Sequence, residues 1–477
     1  MEAITYLQLK TNMSMIQEIK DFSVEQSINN HAYCYLTGII DETYKDDYVK
    51  KVNAENQIEV FVEGEKHITL FKGLIEHIQV QLIGGLYVVE IKGVSHSFQT
   101  DIQRKSRSFQ NRQMTYEDLI KEVMSTYAGG AIIDFASEGQ AIGQIIMQYN
   151  ETDWAFLKRV ASDFNQGVIA VVTLEGPKVI FGTPNGTARG AIEHYHYTVS
   201  KNIGAYKRSS ENTNLELEEL DAVTFHIETL DNYEIGDKVS YQQKTLYIKK
   251  KEIQMKEGIL YFRYDLCVEN GLSQDKVFNE QIVGLSLKGK VLQVVQDRIK
   301  VHLEIDKNQD QGTAWEFPYT TTYTAEGNSG WYCMPEMGDN VGIYFPTKEE
   351  GQGVGMNALR MGSKGTDKID NPSIKYFRTI NGKELKFGPD EIVITCVNGV
   401  DPETGENKMI YISLNDKKGI EIISSEPITF KSDKGIKLEA EETIHILASE
   451  QIKLRCKKSE IRMDTMVDIC GPEVKIN

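Results

Sequence analysis

The chain is short of positive charge, has no long apolar run and has no cysteine pattern, and each lack removes a class of function. Lys and Arg number 53 against 70 Asp and Glu, a formal net charge of −17. Phosphate backbones and anionic lipid surfaces are held by clustered cations, so neither nucleic acid nor an electrostatic membrane anchor is expected. No apolar stretch reaches the roughly 18 residues of a spanning helix, so no transmembrane segment is expected. The six cysteines (Cys34, Cys267, Cys333, Cys396, Cys456 and Cys470) are widely spaced and make no C-x-x-C. Reduced, mostly buried thiols in a protein made in the cytoplasm are the expectation. The opening MEAITYLQLKTNM has no basic region followed by an apolar core, so no signal peptide is expected and export would need another route.

Catalytic signatures are missing too. There is no G-x-S-x-G, H-E-x-x-H, phosphate loop or Cys–His pattern. The many carboxylates have no positioned pairing and read as solvated surface. His194 and His196 flank Tyr195 and would share one face of a strand, but two ligands do not complete a metal site, and a plain strand is expected. The last ten residues hold no histidine. Cys470 is expected to be a buried thiol rather than a ligand. No catalytic residue, cofactor or metal is therefore assigned.

What is present is a repeat. Apolar residues come in pairs two apart, and the pairs recur every eight residues: Ile412/Leu414, Ile420/Ile422, Ile428/Phe430, Ile436/Leu438, Ile444/Ile446 and Ile452/Leu454. A spacing of two puts both side chains on one face of a strand. Turn-forming and charged residues such as Asp416-Lys417-Lys418-Gly419 separate the pairs. One chain of this kind has too little apolar surface to close a core, whereas several copies round a common axis have enough. The repeat predicts a rigid rod made by oligomerisation, with these twelve residues lining its dry interior. Looser pairs follow (Ile461/Met463, Val467/Ile469, Val474/Ile476).

A length of 477 residues fits about three domains. Residues 1–110 read as a first β-barrel-like part, with Gly84-Gly85 as a hairpin turn. Residues 111–190 hold two helices. One starts at Thr115 with Asp118 completing a capping box. The other lies in NETDWAFLKRVASDFN, with Asn150 as its cap and Trp154 on its core-facing stripe. Residues 191–275 return to strands. Residues 281–365 alternate cleanly (Ile299, Val301, Leu303, Ile305; Val341, Ile343, Phe345), which suits a small barrel of the OB type. Residues 366–385 read as a linker, and 386–477 as the octad rod. The fold class is mainly β with an α+β first block.

Three features in series carry a resemblance. Gln148-Tyr149-Asn150-Glu151-Thr152-Asp153-Trp154-Ala155-Phe156-Leu157 is similar to a hub helix start. Gly289-Lys290-Val291, the strand Arg298 to Leu303, Trp315, and Gly330 to Val341 resemble an OB domain. The octads resemble a triple-stranded β-helix. Together they resemble the VgrG-like spike proteins of contractile injection systems, in type VI secretion and contractile phage tails. The resemblance implies a homotrimer whose hub meets the inner tube and baseplate, with an OB-fold collar and a membrane-puncturing needle. It implies assembly at the baseplate centre and outward delivery on contraction. It also implies a separate PAAR-type tip protein, for which Pro472, Val474 and Ile476 are the expected platform. The interval between collar and rod is too short for the lysozyme domain some phage relatives carry there. A peripheral receptor-binding tail fibre and a cell-wall hydrolase are the rival classes.

Overall fold

The computed structural model describes residues 3–44, 50, 52–64, 67–184, 186–192, 197–212, 216–325, 329–360, 371–400, 405, 407–473 and 475. The chain divides into two compact units, Met1–Met361 and Gly362–Asn477. Strand occupies 47% and helix 13% of residues, so the fold is mainly β, as expected.

In the first unit the largest sheet joins segments that lie far apart in sequence. Strands Ile16–Ser27, Tyr33–Ile40, Gln57–Val62, Ile68–Ile83 and Leu86–Ser95 form one half, and strands Val223–Thr229, Lys238–Tyr241, Lys244–Lys256 and Ile259–Cys267 belong to the other. The halves are sewn together where Ser23–Ser27 runs antiparallel to Lys250–Gln254. One apolar core fills the resulting half-barrel, with Phe22, Phe71 and Phe262 fully buried. Gly84 and Gly85 have φ of 58° and 83° and close the hairpin of Ile83 against Leu86, a turn that β-carbon-bearing residues disfavour.

The expected helices lie at α1 (Tyr116–Met124) and α2 (Asp153–Ser162). Thr115 caps α1 by accepting the Asp118 N–H at 3.1 Å. α2 departs from expectation at its start. Its cap is Thr152, which accepts the Ala155 N–H at 3.2 Å. Asn150 instead takes a left-handed backbone, φ 49°, within the strand that leads in, two residues before the cap. Both helices pack their apolar stripes into a second core with Trp154, Phe156 and Leu157.

Residues Ser286–Val295, Arg298–Leu303, Glu316–Pro318, Asn340–Tyr344 and Val354–Leu359 make a five-stranded antiparallel sheet. Of the alternating residues read from the sequence, Ile299, Val301, Leu303, Val341, Ile343 and Phe345 are fully buried, while Ile305, past the end of its strand, is partly buried.

The second unit holds two antiparallel meanders. Five strands (Lys375–Arg378, Glu384–Phe387, Glu391–Val400, Asn407–Asn415, Gly419–Ser424) form one, and three (Ile452–Cys456, Ser459–Met463, Val467–Cys470) the other. The interval 366–385, expected as a linker, thus contains a strand at Lys375–Arg378 and the start of another. Between the meanders, from Glu426 to Gln451, no residue lies in a paired strand.

The thiol expectation needs correcting. Cys34 and Cys267 are buried, but Cys333, Cys396, Cys456 and Cys470 are exposed. Two of these four lie in the three-stranded meander, which has no core of its own to bury them.

Candidate functional site

The Gln148–Leu157 segment is a structural lock. Asp153, the first residue of α2, is fully buried. Its carboxylate accepts from Arg107 Nη2 at 2.9 Å, Gln148 Nε2 at 2.9 Å, Tyr127 Oη at 2.6 Å, and Lys105 Nζ. A buried carboxylate is tolerated when it is paired and fully hydrogen-bonded. Burial and the Asp153 carboxylate push the Tyr127 phenol up, so it remains a donor. Trp154 is 3% exposed, which makes it the core residue expected, and its ring packs 4.4 Å from that of His31. His31 also reaches Ser97 Oγ and Asp101, so the segment ties α2 to the half-barrel.

A second set of bonds ties the helices to the five-stranded sheet. Arg159 reaches Glu151 and, at 2.8 Å, Glu350, with both Arg159 and Glu350 buried. Asp306 accepts from Ser108 N–H, Ser108 Oγ and Gln110 Nε2, and burial pushes its carboxyl up. Asn150 donates to Gln281, and Asn279 donates to the Tyr149 carbonyl. This first unit is a braced platform.

The second unit has the opposite character. Directly opposed residues of neighbouring strands share a face. Two cross-strand rows therefore follow from the register. One runs Phe377, Leu385, Ile394, Ile412, Ile422, and the other Phe387, Ile392, Leu414, Ile420. Apart from Lys375, which stands opposite Phe387 at the end of the second row, the members are apolar, yet Ile412 is 39%, Leu414 41%, Ile422 49% and Ile420 71% exposed within the chain. The three-stranded meander repeats the pattern, with Ile452, Met463 and Val467 in one row and Leu454, Ile461 and Ile469 in the other. Between them Ile428, Phe430, Ile436, Leu438, Ile444 and Ile446 are 49–73% exposed. Sequence reading found the octad residues but missed Phe377, Leu385, Phe387, Ile392 and Ile394. Their alternation in two was the available signal, broken by the turn at Gly388-Pro389-Asp390. Of the expected platform, Pro472 is exposed, while Val474 and Ile476 lie outside the described residues.

Other chemistry is sparse. Among the described residues no group of three or more His, Cys, Asp or Glu is placed to hold a metal ion. His194 and His196 fall outside those residues. Ser200 Oγ lies 2.8 Å from His226 Nε2, and His226 Nδ1 lies 2.6 Å from Asp265 Oδ1, an alignment the sequence reading did not find. Strand register opposes His226 to Asp265, while Ser200, opposed to Thr224, reaches His226 diagonally from the neighbouring strand. The side chains of Ser200, His226 and Asp265 lie on the solvent face, opposite buried Phe225 and Ile227. No described helix is long and apolar enough to cross a membrane.

The first unit thus holds a half-barrel, a helix-bearing bracket and a five-stranded sheet, and the second unit carries exposed apolar rows. The sequence matches no family model and no curated protein. Solved structures do match. The E. coli c3393 protein is a component of the type VI secretion system described as structurally similar to T4 bacteriophage tail proteins gp27 and gp5. It matches with a TM-score of 0.53 at 13% identity, over 74% of this chain and 99% of that one. The lidded Francisella PdpA–VgrG complex matches at 0.53 and 11% identity, over 86% of this chain and 76% of that one. Its half-lidded form matches at 0.52 and 11%, over 85% and 83%. At these identities the likeness is one of fold: this chain has the fold of VgrG-related and phage-tail hub proteins.

Proposed function

We propose that the chain is the structural hub and central spike of a contractile injection apparatus and works as a homotrimer. The observation that carries this reading is the pair of apolar rows on the terminal unit, exposed in one chain and continued by the unpaired octads. An extended backbone with open edges and a regular apolar face gains most by pairing with identical copies. Each aliphatic side chain so buried contributes about 1.5–3 kcal/mol before ordering entropy is subtracted. Three copies wound as a triple-stranded β-helix give a stiff prism that unfolds only as a unit.

In this reading the first unit meets the inner tube and baseplate, and its dense polar bracing resists load. The sheath supplies work, and the rod concentrates it on a small area of the target membrane. Pro472, Val474 and Ile476 seat a separate PAAR-type tip protein. The chain carries no catalytic role. It is made in the cytoplasm, joins the particle at the baseplate centre, and moves outward on contraction. Electron microscopy of particles carrying the tagged chain tests the placement: central-axis density is expected, and peripheral density would make it a tail fibre.

A further inference from the structure

One hollow of the first unit runs against the charge of the whole chain. It measures about 250 Å³ and is lined by Arg112, Arg298, Lys300, Thr313, Trp315 and Glu316, among others. Arg112 lies over the Trp315 ring, 5.6 Å from its centre, and donates to the Gly143 carbonyl. Arg298 donates to the Glu316 carbonyl and Lys300 to that of Gly312. Only Lys300 comes near a carboxylate, Glu316 at 3.8 Å. Among the described residues neither arginine has an acidic partner, in a chain with 70 acidic residues against 53 basic ones. The indole N–H of Trp315 is buried without an acceptor. The wall therefore holds a surplus of positive charge.

The donor type narrows the ligand. Phosphate sites are commonly built from successive backbone N–H groups. Here the Thr313 and Trp315 N–H groups are already given to Asp310 and Gln110. What remains are side-chain forks, and guanidinium forks match planar carboxylates in paired hydrogen bonds. We propose that this hollow binds a carboxylate group. Arg112 and Arg298 hold the carboxylate, and Glu316 limits how much negative charge is accepted.

The chain has three tryptophans, Trp154, Trp315 and Trp331, so the full protein labelled with 5-fluorotryptophan offers a direct readout. Trp315→Phe assigns the signal. Titration with N-acetylaspartate should move the Trp315 resonance saturably and leave that of buried Trp154 in place. Arg112→Gln and Arg298→Gln should each weaken the response about tenfold, and Glu316→Gln should tighten it. An unmoved Trp154 signal in each variant reports an intact fold. Movement that sodium chloride reproduces at equal ionic strength would overturn the proposal. So would movement that persists in both arginine variants, or saturation by inorganic phosphate but not by N-acetylaspartate.

Discussion

Arg159 Nη1 lies 2.8 Å from Glu350 Oε1, and the two side chains are 8% and 9% exposed. The pair bridges α2 to the turn before strand Val354–Leu359, so one contact couples the helix bracket to the five-stranded sheet. Removing Glu350 leaves buried Arg159 with Glu151 as its remaining carboxylate partner, so the loss falls below the about 3–5 kcal/mol of a buried charge left wholly unpaired. Glu350→Ala should therefore lower the thermal midpoint of the first unit's transition clearly. Glu117→Ala, which breaks the exposed Lys121 pair, should change stability by less than about 1 kcal/mol. Equal midpoints for the two variants would remove the brace from the account.

The sheet core makes a steric prediction. A Cβ on Gly353 would meet Phe345 at 2.8 Å and Phe317 at 3.0 Å, and both rings are fully buried. Gly353→Ala should cost about 1–3 kcal/mol through overpacking, read as a lower denaturant midpoint with unchanged slope. A neutral result would mean that the rings have room to move.

His96 gives a pH dependence. It is 1% exposed with Nε2 unpartnered, and burial lowers its pKa, with Lys72 adding to the shift and Glu175 opposing it. The unfolded chain takes up this proton near pH 6.5, and the folded chain only at lower pH. Stability from this group is complete above about pH 6.5 and declines as pH falls toward the depressed value. The fall in thermal midpoint between pH 7 and pH 5.5 should be smaller in His96→Gln than in the parent. Identical slopes would assign the pH sensitivity elsewhere.

Ser200, His226 and Asp265 invite a test of the non-catalytic reading. An exposed His–Asp pair on a sheet face contributes little to stability, so His226→Ala should fold normally. The purified chain should hydrolyse p-nitrophenyl acetate no faster than Ser200→Ala does. A Ser200-dependent rate would restore the hydrolase class.

Much of this architecture could be read locally. Thr115 with Asp118 marks a helix start, and Ile299 to Leu303 marks a half-buried strand, because both signals lie within a few residues. The octads mark an unsatisfied apolar face for the same reason. The cap of α2 was misread because Asn150 and Thr152 are both good capping residues, and only the strand leading in decides between them. The pairing of Ser23–Ser27 with Lys250–Gln254 left no local trace, since register between distant strands is set by packing. The acidic and basic residues that lock Asp153 and Arg159 are likewise scattered along the chain and meet only after folding.

The terminal unit carries the central claim, and Ile436 tests its orientation. In one chain this side chain is 57% exposed, and a surface substitution changes stability by only about 0.5 kcal/mol. Inside a three-chain prism, Ile436→Asp places three carboxylates in one dry layer, at several kcal/mol per ion. The variant should lose assembly and thermal stability together.

The most direct measurement is the mass of the intact protein in solution by sedimentation equilibrium. Three times the 54.1 kDa chain mass is expected for the parent, falling toward a single chain in Ile436→Asp. A parent that sediments as one 54.1 kDa chain would contradict the shared rod.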